Sequence, residues 1–309
     1  MMKKILVFMG TYNGQQYVSE QIQSILDQQG VKASIAIRDD CSKDNTPEIL
    51  QKFKKNYPER IQLFLGDKNL FPFNYDELTR TADIEGFDYY AFSDHDDVWM
   101  KDKLAVAVAE LEKFEQNKPV LYCSNLAVTD ADLNYRFDAY PKGKIAAKPE
   151  TCFVDYNASA NTFVFNKAAL DIYRNGSKKD FYYGDVWLQL VVFFVGTVIY
   201  DDEPHIWFRR TGNNVSGERD KGIKLWLSRL GRIKKEKKDN LHMHSDMAAN
   251  LLECYGAVID EDKRVILETI AEYSQSFSKK MRLLFSPKIK SLSFSRNITF
   301  KGRILLNLL

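Results

Sequence analysis

Cysteine is scarce in this chain and never closely paired. Cys41, Cys123, Cys152 and Cys254 are the four cysteines among 309 residues, and no two form a C-x-x-C spacing. That excludes the usual thiolate zinc site and a disulfide framework, and it fits a reducing compartment. Long apolar runs are missing as well: nothing approaches the roughly 20 residues of a membrane-spanning helix. The N-terminal run Ile5–Met9 breaks at Gly10-Thr11-Tyr12-Asn13-Gly14 with no small-residue cleavage site. It therefore reads as a first strand rather than a secretion signal, and the protein as cytoplasmic, at most peripheral on the inner face of a membrane. The 15 glycines are nowhere spaced as a dinucleotide fingerprint, and no Gly-Lys-Ser/Thr end marks a P-loop. Neither sign of charge dominates: 44 Lys/Arg stand against 42 Asp/Glu for a net +2, although the two signs are unevenly distributed.

Core-forming residues are plentiful, with 45% hydrophobic residues that include 16 Tyr and 20 Phe. The length suits one large domain, or one of about 200 residues with an appendage. Strand-like apolar runs alternate with amphipathic patterns through the first half, which predicts an α/β fold with a mainly parallel sheet. Strands are expected at 4–9, 33–38, 61–65, 88–92 and 120–128, and helices at 16–29, 47–57, 74–82 and from Trp99 onward. Separate strands are expected at 198–200 and 205–209. Each early strand runs into a polar loop rich in Asp, Asn and Gly, and in open α/β sheets ligands bind outside those carboxyl ends.

Three such loops carry candidate chemistry. Ser93-Asp94-His95-Asp96-Asp97-Val98-Trp99 follows an apolar strand, and strand alternation lets Asp94 and Asp96 converge while His95 points elsewhere. Two converging carboxylates suit a hard divalent cation, Mn²⁺ or Mg²⁺, that also holds phosphate oxygens; capping of a following helix is the alternative. The Gly10–Gly14 loop precedes a helix, whose first backbone N–H groups favour anions. Asp39 and Asp40 accept but do not donate, which suits imide or ribose donors, with turn chemistry as the alternative. Farther on, Asp185 stands just before the apolar segment 186–195. It is either a helix N-cap, worth about 1 kcal/mol, or a general base held ionised by the helix terminus. Arg209 and Arg210 before Thr211-Gly212-Asn213-Asn214 are candidates for a clamp on a departing diphosphate. Around residues 153–165, Asn157, Ser159 and Asn161 among apolar neighbours suggest a polar wall near a pocket.

Taken in order, these segments resemble a family 2 glycosyltransferase of the GT-A fold, and most closely its bacterial rhamnosyltransferase-like branch, where Ser-Asp-x-Asp-Asp-x-Trp is typical. The resemblance covers residues 3–217. It implies a Rossmann-like sheet and inverting, metal-dependent transfer of a sugar from a nucleoside diphosphate donor to an acceptor hydroxyl. By matching position, Thr11, Tyr12, Asn13, Asp39 and Asp40 would hold the donor nucleoside. Asp94 would touch the ribose or the metal shell, Asp96 would ligate Mn²⁺ or Mg²⁺, and Asp185 would take the acceptor proton. Arg209, Arg210, Asn213, Asn214, Trp99 and Trp187 fall in the diphosphate and acceptor region, and Asp97 reads as the helix cap. Two positions depart from the pattern. Relatives carry His where this chain has Thr211, and Gln where it has His95. L-rhamnose from a dTDP donor is the first expectation for the sugar, a UDP-hexose the second, and cell-surface polysaccharide, including lipid-linked saccharide, the expected acceptor.

The expected organisation is a catalytic domain over 1–217, with a donor half of about 1–100 and an acceptor half of about 101–217, and a helical basic region over 218–309. From Tyr273 onward there are eight Lys/Arg and no Asp or Glu. With the interleaved Leu, Ile and Phe this suits an anionic membrane surface, while no nucleic-acid motif is present. Homo-oligomerisation stays open. A sugar-1-phosphate nucleotidyltransferase and a non-catalytic carbohydrate-binding protein are the alternatives.

Overall fold

The computed structural model describes residues 2–309 apart from 72, 144, 146, 156–157, 177–183, 212–227, 230, 232, 235–237, 239–241 and 292. Strand β1 (Lys4–Thr11) has buried side chains from Ile5 to Thr11. Ile5, Val7 and Met9 join one core cluster and Leu6 and Phe8 the other, so the strand alternates between two covered faces, as a central parallel strand must. β2 (Lys32–Asp39), β3 (Ile61–Leu65) and β4 (Tyr89–Ser93) complete a parallel set in the order β3-β2-β1-β4. Helices α1 (Val18–Leu26), α2 (Thr46–Asn56) and α3 (Asn74–Thr81) form the crossovers. Val18, Ile22, Ile25 and Leu26 make the buried stripe of α1, and Pro47 lies in the first turn of α2, where its missing N–H costs nothing.

Beyond β4 the sheet continues through β8 (Val164–Asn166), β6 (Val120–Thr129), β9 (Thr197–Arg209) and β5 (Val98–Trp99), while β7 (Tyr135–Asp138) pairs with β6. β8 runs antiparallel to both β4 and β6, and β6 and β9 are parallel. This mixed extension places the end of β9 beside the loop after β4. Two sequence expectations change here. The helix expected to leave Trp99 starts later, as α4 (Lys103–Leu111), because Val98 and Trp99 pair with Trp207 and Ile206. The two strands expected at 198–200 and 205–209 are one strand, whose register with β6 shifts around Asn125.

Asn166 caps α5 (Lys167–Asn175), accepting the Ala169 N–H at 3.0 Å, and α6 (Gly184–Val195) follows. The C-terminal helices are α7 (Met243–Tyr255), α8 (Glu261–Ala271), α9 (Phe277–Leu284) and α10 (Phe294–Leu305). Leu251, Ile270 and Phe300 from these helices lie in the same apolar cluster as Leu6 and Phe8 of β1, Tyr90 of β4 and Trp187 of α6. Among the described residues no helix is long and apolar enough to cross a membrane.

Candidate active site

Strand β4 stops at Ser93, whose hydroxyl accepts from Gln21 Nε2 at 2.8 Å and donates to Asp94 O at 2.7 Å. The chain then bends through residues 94–97 before β5 begins. Convergence of the acids arises from this bend and not from strand alternation, so Asp97 joins Asp94 and Asp96: the three offer carboxylate oxygens within 4.8 Å of one another. His95 turns away toward β1, its Nδ1 3.3 Å from Gly10 O. It leaves so little room that a Cβ on Gly14 would come within 2.5 Å of the imidazole.

Each acid is held differently. Asp94 accepts from the Tyr75 hydroxyl at 3.0 Å. Its carboxyl is pushed up to about 7 by burial and by the neighbouring Asp96 charge. Asp97 is wholly buried; Asn161 Nδ2 donates to its Oδ2 and the Arg209 backbone N–H to its Oδ1 at 3.2 Å. Burial, Asp96 and Asp94 together raise its carboxyl well above the usual range. Asp97 is therefore not a helix cap, since α4 starts after Asp102. Like charges this close are costly unless protonated or matched by a cation. Oxygen donors so arranged fit a hard divalent ion: Asp94, Asp96 and Asp97 would hold it.

The two other donor-side loops are laced together. Thr11 Oγ1 donates to Asp39 Oδ1 at 3.0 Å, and Asp39 also accepts from Ser42 N at 2.9 Å and Ser42 Oγ at 2.6 Å. Asn13 N donates to Ser42 Oγ and Lys43 N to Asn13 Oδ1, both at 2.8 Å. Asn13 (φ 50°) and Cys41 (φ 63°) adopt left-handed backbone to close these turns, a region uncommon for residues with a side chain. Asp40 is buried against Arg38 Nε at 2.9 Å, and burial raises its carboxyl. Thr11 and Asp39 are buried and bonded to each other, and so shape the loops that carry Tyr12 and Asn13. Tyr12, 44% exposed, forms the open surface of this pair of loops together with Asn13 and Lys43.

Asp185 lies in the first turn of α6. Its carboxyl is raised, by burial first and in smaller part by Asp76, against the lowering effect of the Val186 and Asp185 backbone N–H groups. The backbone N–H groups at the helix start favour the ionised form as expected, while burial works against them and is the larger effect. The Asp185 charge acts on both Asp94 and Tyr75, so it lies within electrostatic reach of the acidic bend.

Residues 6–172, more than half of the chain, match the sequence model of glycosyl transferase family 2. The chain belongs to that family. A dTDP-rhamnosyl transferase, RfbG, of Shigella flexneri is 43% identical over 103 residues, 32% of this chain and 35% of the relative; the chain thus matches about a third of that relative's length. The S. aureus TarS fragment 1–349 superposes with a TM-score of 0.59 at 14% identity, over 99% of this chain and 81% of that one. A mannosyltransferase of Pyrobaculum calidifontis, solved with GDP-Man and Mn²⁺, gives 0.53 at 14% identity over 100% and 81%. The fold is GT-A.

In this family 2 glycosyltransferase three expected contacts are corrected. Arg209 is not an open clamp on diphosphate: only 3% exposed, it donates from Nε to Asp96 O at 3.0 Å, from Nη1 to Ala131 O and from Nη2 to Glu20, and it covers the Tyr17 ring at 4.5 Å. It braces the acidic bend from behind. Trp99 and Trp187 are core residues, 2% and 1% exposed, and present no face to an acceptor. Lys103, also buried, sets its ammonium 3.8 Å from the Trp99 ring centre, and burial lowers it to about 7 although Asp97 pulls it up. Arg210 donates its backbone N–H to Thr129 O at 3.1 Å, and among the described residues its buried Nε has no partner. Asn213 and Asn214 lie outside the described residues, as does Asn157. Sequence reading missed Tyr75 and the acidic role of Asp97. Asn161 was signalled only as part of a polar wall, because its bond to Asp97 joins residues 64 apart.

Proposed function

We propose that this chain transfers a sugar, with inversion, from a nucleoside diphosphate donor to an acceptor hydroxyl in polysaccharide synthesis. The single observation that carries the proposal is the meeting of Asp94, Asp96 and Asp97 at the carboxyl end of the sheet, within electrostatic reach of Asp185, in a family 2 chain. Asp94, Asp96 and Asp97 would hold Mn²⁺ or Mg²⁺, which when bound would offset charge on the departing diphosphate. Tyr12, Asn13 and Asp40 receive the nucleoside, over a floor set by Thr11 and Asp39. Asp185 removes the proton of the incoming hydroxyl, and the upward shift of its carboxyl makes it a stronger base than an exposed aspartate. Attack opposite the leaving group with a single base gives inversion, as in one-step inverting glycosidases.

L-rhamnose from a dTDP donor is the first reading for the sugar, supported by the likeness to RfbG over a third of the chain. A UDP-hexose is the second, favoured by a structural neighbour solved with UDP-GlcNAc. Incubating the chain with Mn²⁺ and a panel of nucleotide sugars, and following released nucleoside diphosphate, tests the proposal. Turnover with one donor is expected, and no metal-dependent release with any donor would overturn it. Asp185→Asn is expected to lower transfer by at least about a hundredfold with donor affinity retained, whereas Asp96→Ala loses both. Loss of donor binding in Asp185→Asn would remove that residue's role as base.

A further inference from the structure

Helix α10 carries two apolar faces. Phe300 and Ile304 enter the core, while Phe294 (80% exposed), Ile298 (41%) and Leu305 (59%) stand on the outside. Their spacing of i, i+4 and i+11 puts the outer three on one stripe, with exposed Lys301 between them at i+7. Helix α9 and its following residue add Phe277 (79%) and Phe285 (72%), eight positions apart and so on one side of that helix. Lys280 Nζ donates to Leu305 O at 3.2 Å and to Asn307 Oδ1 at 2.7 Å. These bonds join the first turn of α9 to the last turn of α10, making the two exposed sets one unit.

A soluble surface tolerates single exposed apolar residues, but stripes of Phe, Ile and Leu on two joined helices call for an occupant. The charge around them says which. Residues 274–309 contain eight Lys/Arg and no Asp or Glu. Lys279 and Arg296 are matched by Glu272 and Asp155 from outside that stretch. Arg282, Lys288, Lys290 and Lys301 are solvent-exposed. A second copy would bring two such positive segments together. A nucleic acid would satisfy the cations and leave the phenylalanines in water. An anionic bilayer satisfies both, its phosphates meeting the cations and its headgroup–acyl boundary receiving the apolar stripe.

We propose that α9, α10 and the segment between them form a docking surface for an anionic lipid bilayer. This reading is independent of the transferase reaction, since it rests on the helices remote in sequence from the acidic bend. It sharpens the sequence expectation of a basic membrane-facing tail by naming the stripe that inserts.

The test is co-sedimentation of the full chain with vesicles of phosphatidylcholine alone and of phosphatidylcholine with phosphatidylglycerol. Binding to the second and not the first is expected, weakening with added salt. Phe294→Ser with Leu305→Ser is expected to lower vesicle affinity by about tenfold or more. Lys288→Glu with Lys290→Glu should lower it at least as far, at roughly fivefold for each cation lost. Both double variants should keep the wild-type melting temperature and turnover on a water-soluble acceptor. Equal binding to both vesicle types, or none to either, overturns the proposal. So does self-association, or oligonucleotide binding, that disappears in Phe294→Ser while vesicle binding is absent.

Discussion

Asp94 and Asp97 are carboxyls kept in a setting that favours their neutral form. In an unfolded chain each titrates near 3.9, whereas in the fold burial and neighbouring acids raise Asp94 to about 7 and Asp97 well above its usual range. Across that window the folded chain binds more protons than the unfolded one, so metal-free stability falls as pH rises. The metal-free melting temperature is therefore expected to be lower at about pH 8 than at about pH 5, with saturating Mn²⁺ raising it more at the higher pH. Thermal scans at both pH values, with and without metal, check this. Tyr75→Phe removes a hydrogen bond that favours the Asp94 carboxylate, so the pH at which Mn²⁺ binding is half-maximal should move upward in a metal titration. Arg209→Met withdraws the brace behind the bend; hydrogen bonds to charged groups suggest a loss of about 2–3 kcal/mol in chemical denaturation. Arg209→Lys should restore only part, because an ammonium cannot serve three diverging acceptors.

At the scale of elements, the bend after β4 depends on its neighbours making space. Gly14→Ala would push its Cβ against the His95 ring and is expected to cost about 1–3 kcal/mol. Adding His95→Ala should return most of that in a double-mutant cycle. The early strands and crossovers were legible in the sequence because each apolar run has one period and one flanking turn. Lys4–Thr11, Lys32–Asp39 and Ile61–Leu65 lie within two residues of where pattern placed them. That Asp94 and Asp96 would meet was legible too, because carboxylates at the end of an apolar strand are out of place unless something holds them. What escaped was set by long-range pairing. Val98–Trp99 is a strand only because β9 returns beside it, and no local pattern announces that. Arg209 looked like a ligand contact from its Gly/Asn-rich sequel, yet Glu20, 189 residues away, claims it. The burial that raises the Asp185 carboxyl was equally hidden, because sequence shows the helix end and not what packs around it.

At the scale of the whole molecule, the topology gathers the chemistry at one end of the sheet. β1, β2 and β4 deliver three loops side by side, the turn entering the antiparallel β8 brings Asn161, and the end of β9 brings Arg209 and Arg210 to the same edge. The proposed functional division at residue 217 does not coincide with a division of the core. Leu251, Ile270 and Phe300 share an apolar cluster with Phe8 and Trp187, so the basic helices are part of what keeps the catalytic sheet dry. A chain cut after residue 217 would lay that cluster open to water. Such a fragment should express as aggregate, and the full chain should melt in one cooperative step, reporting the catalytic half and the tail at a single temperature.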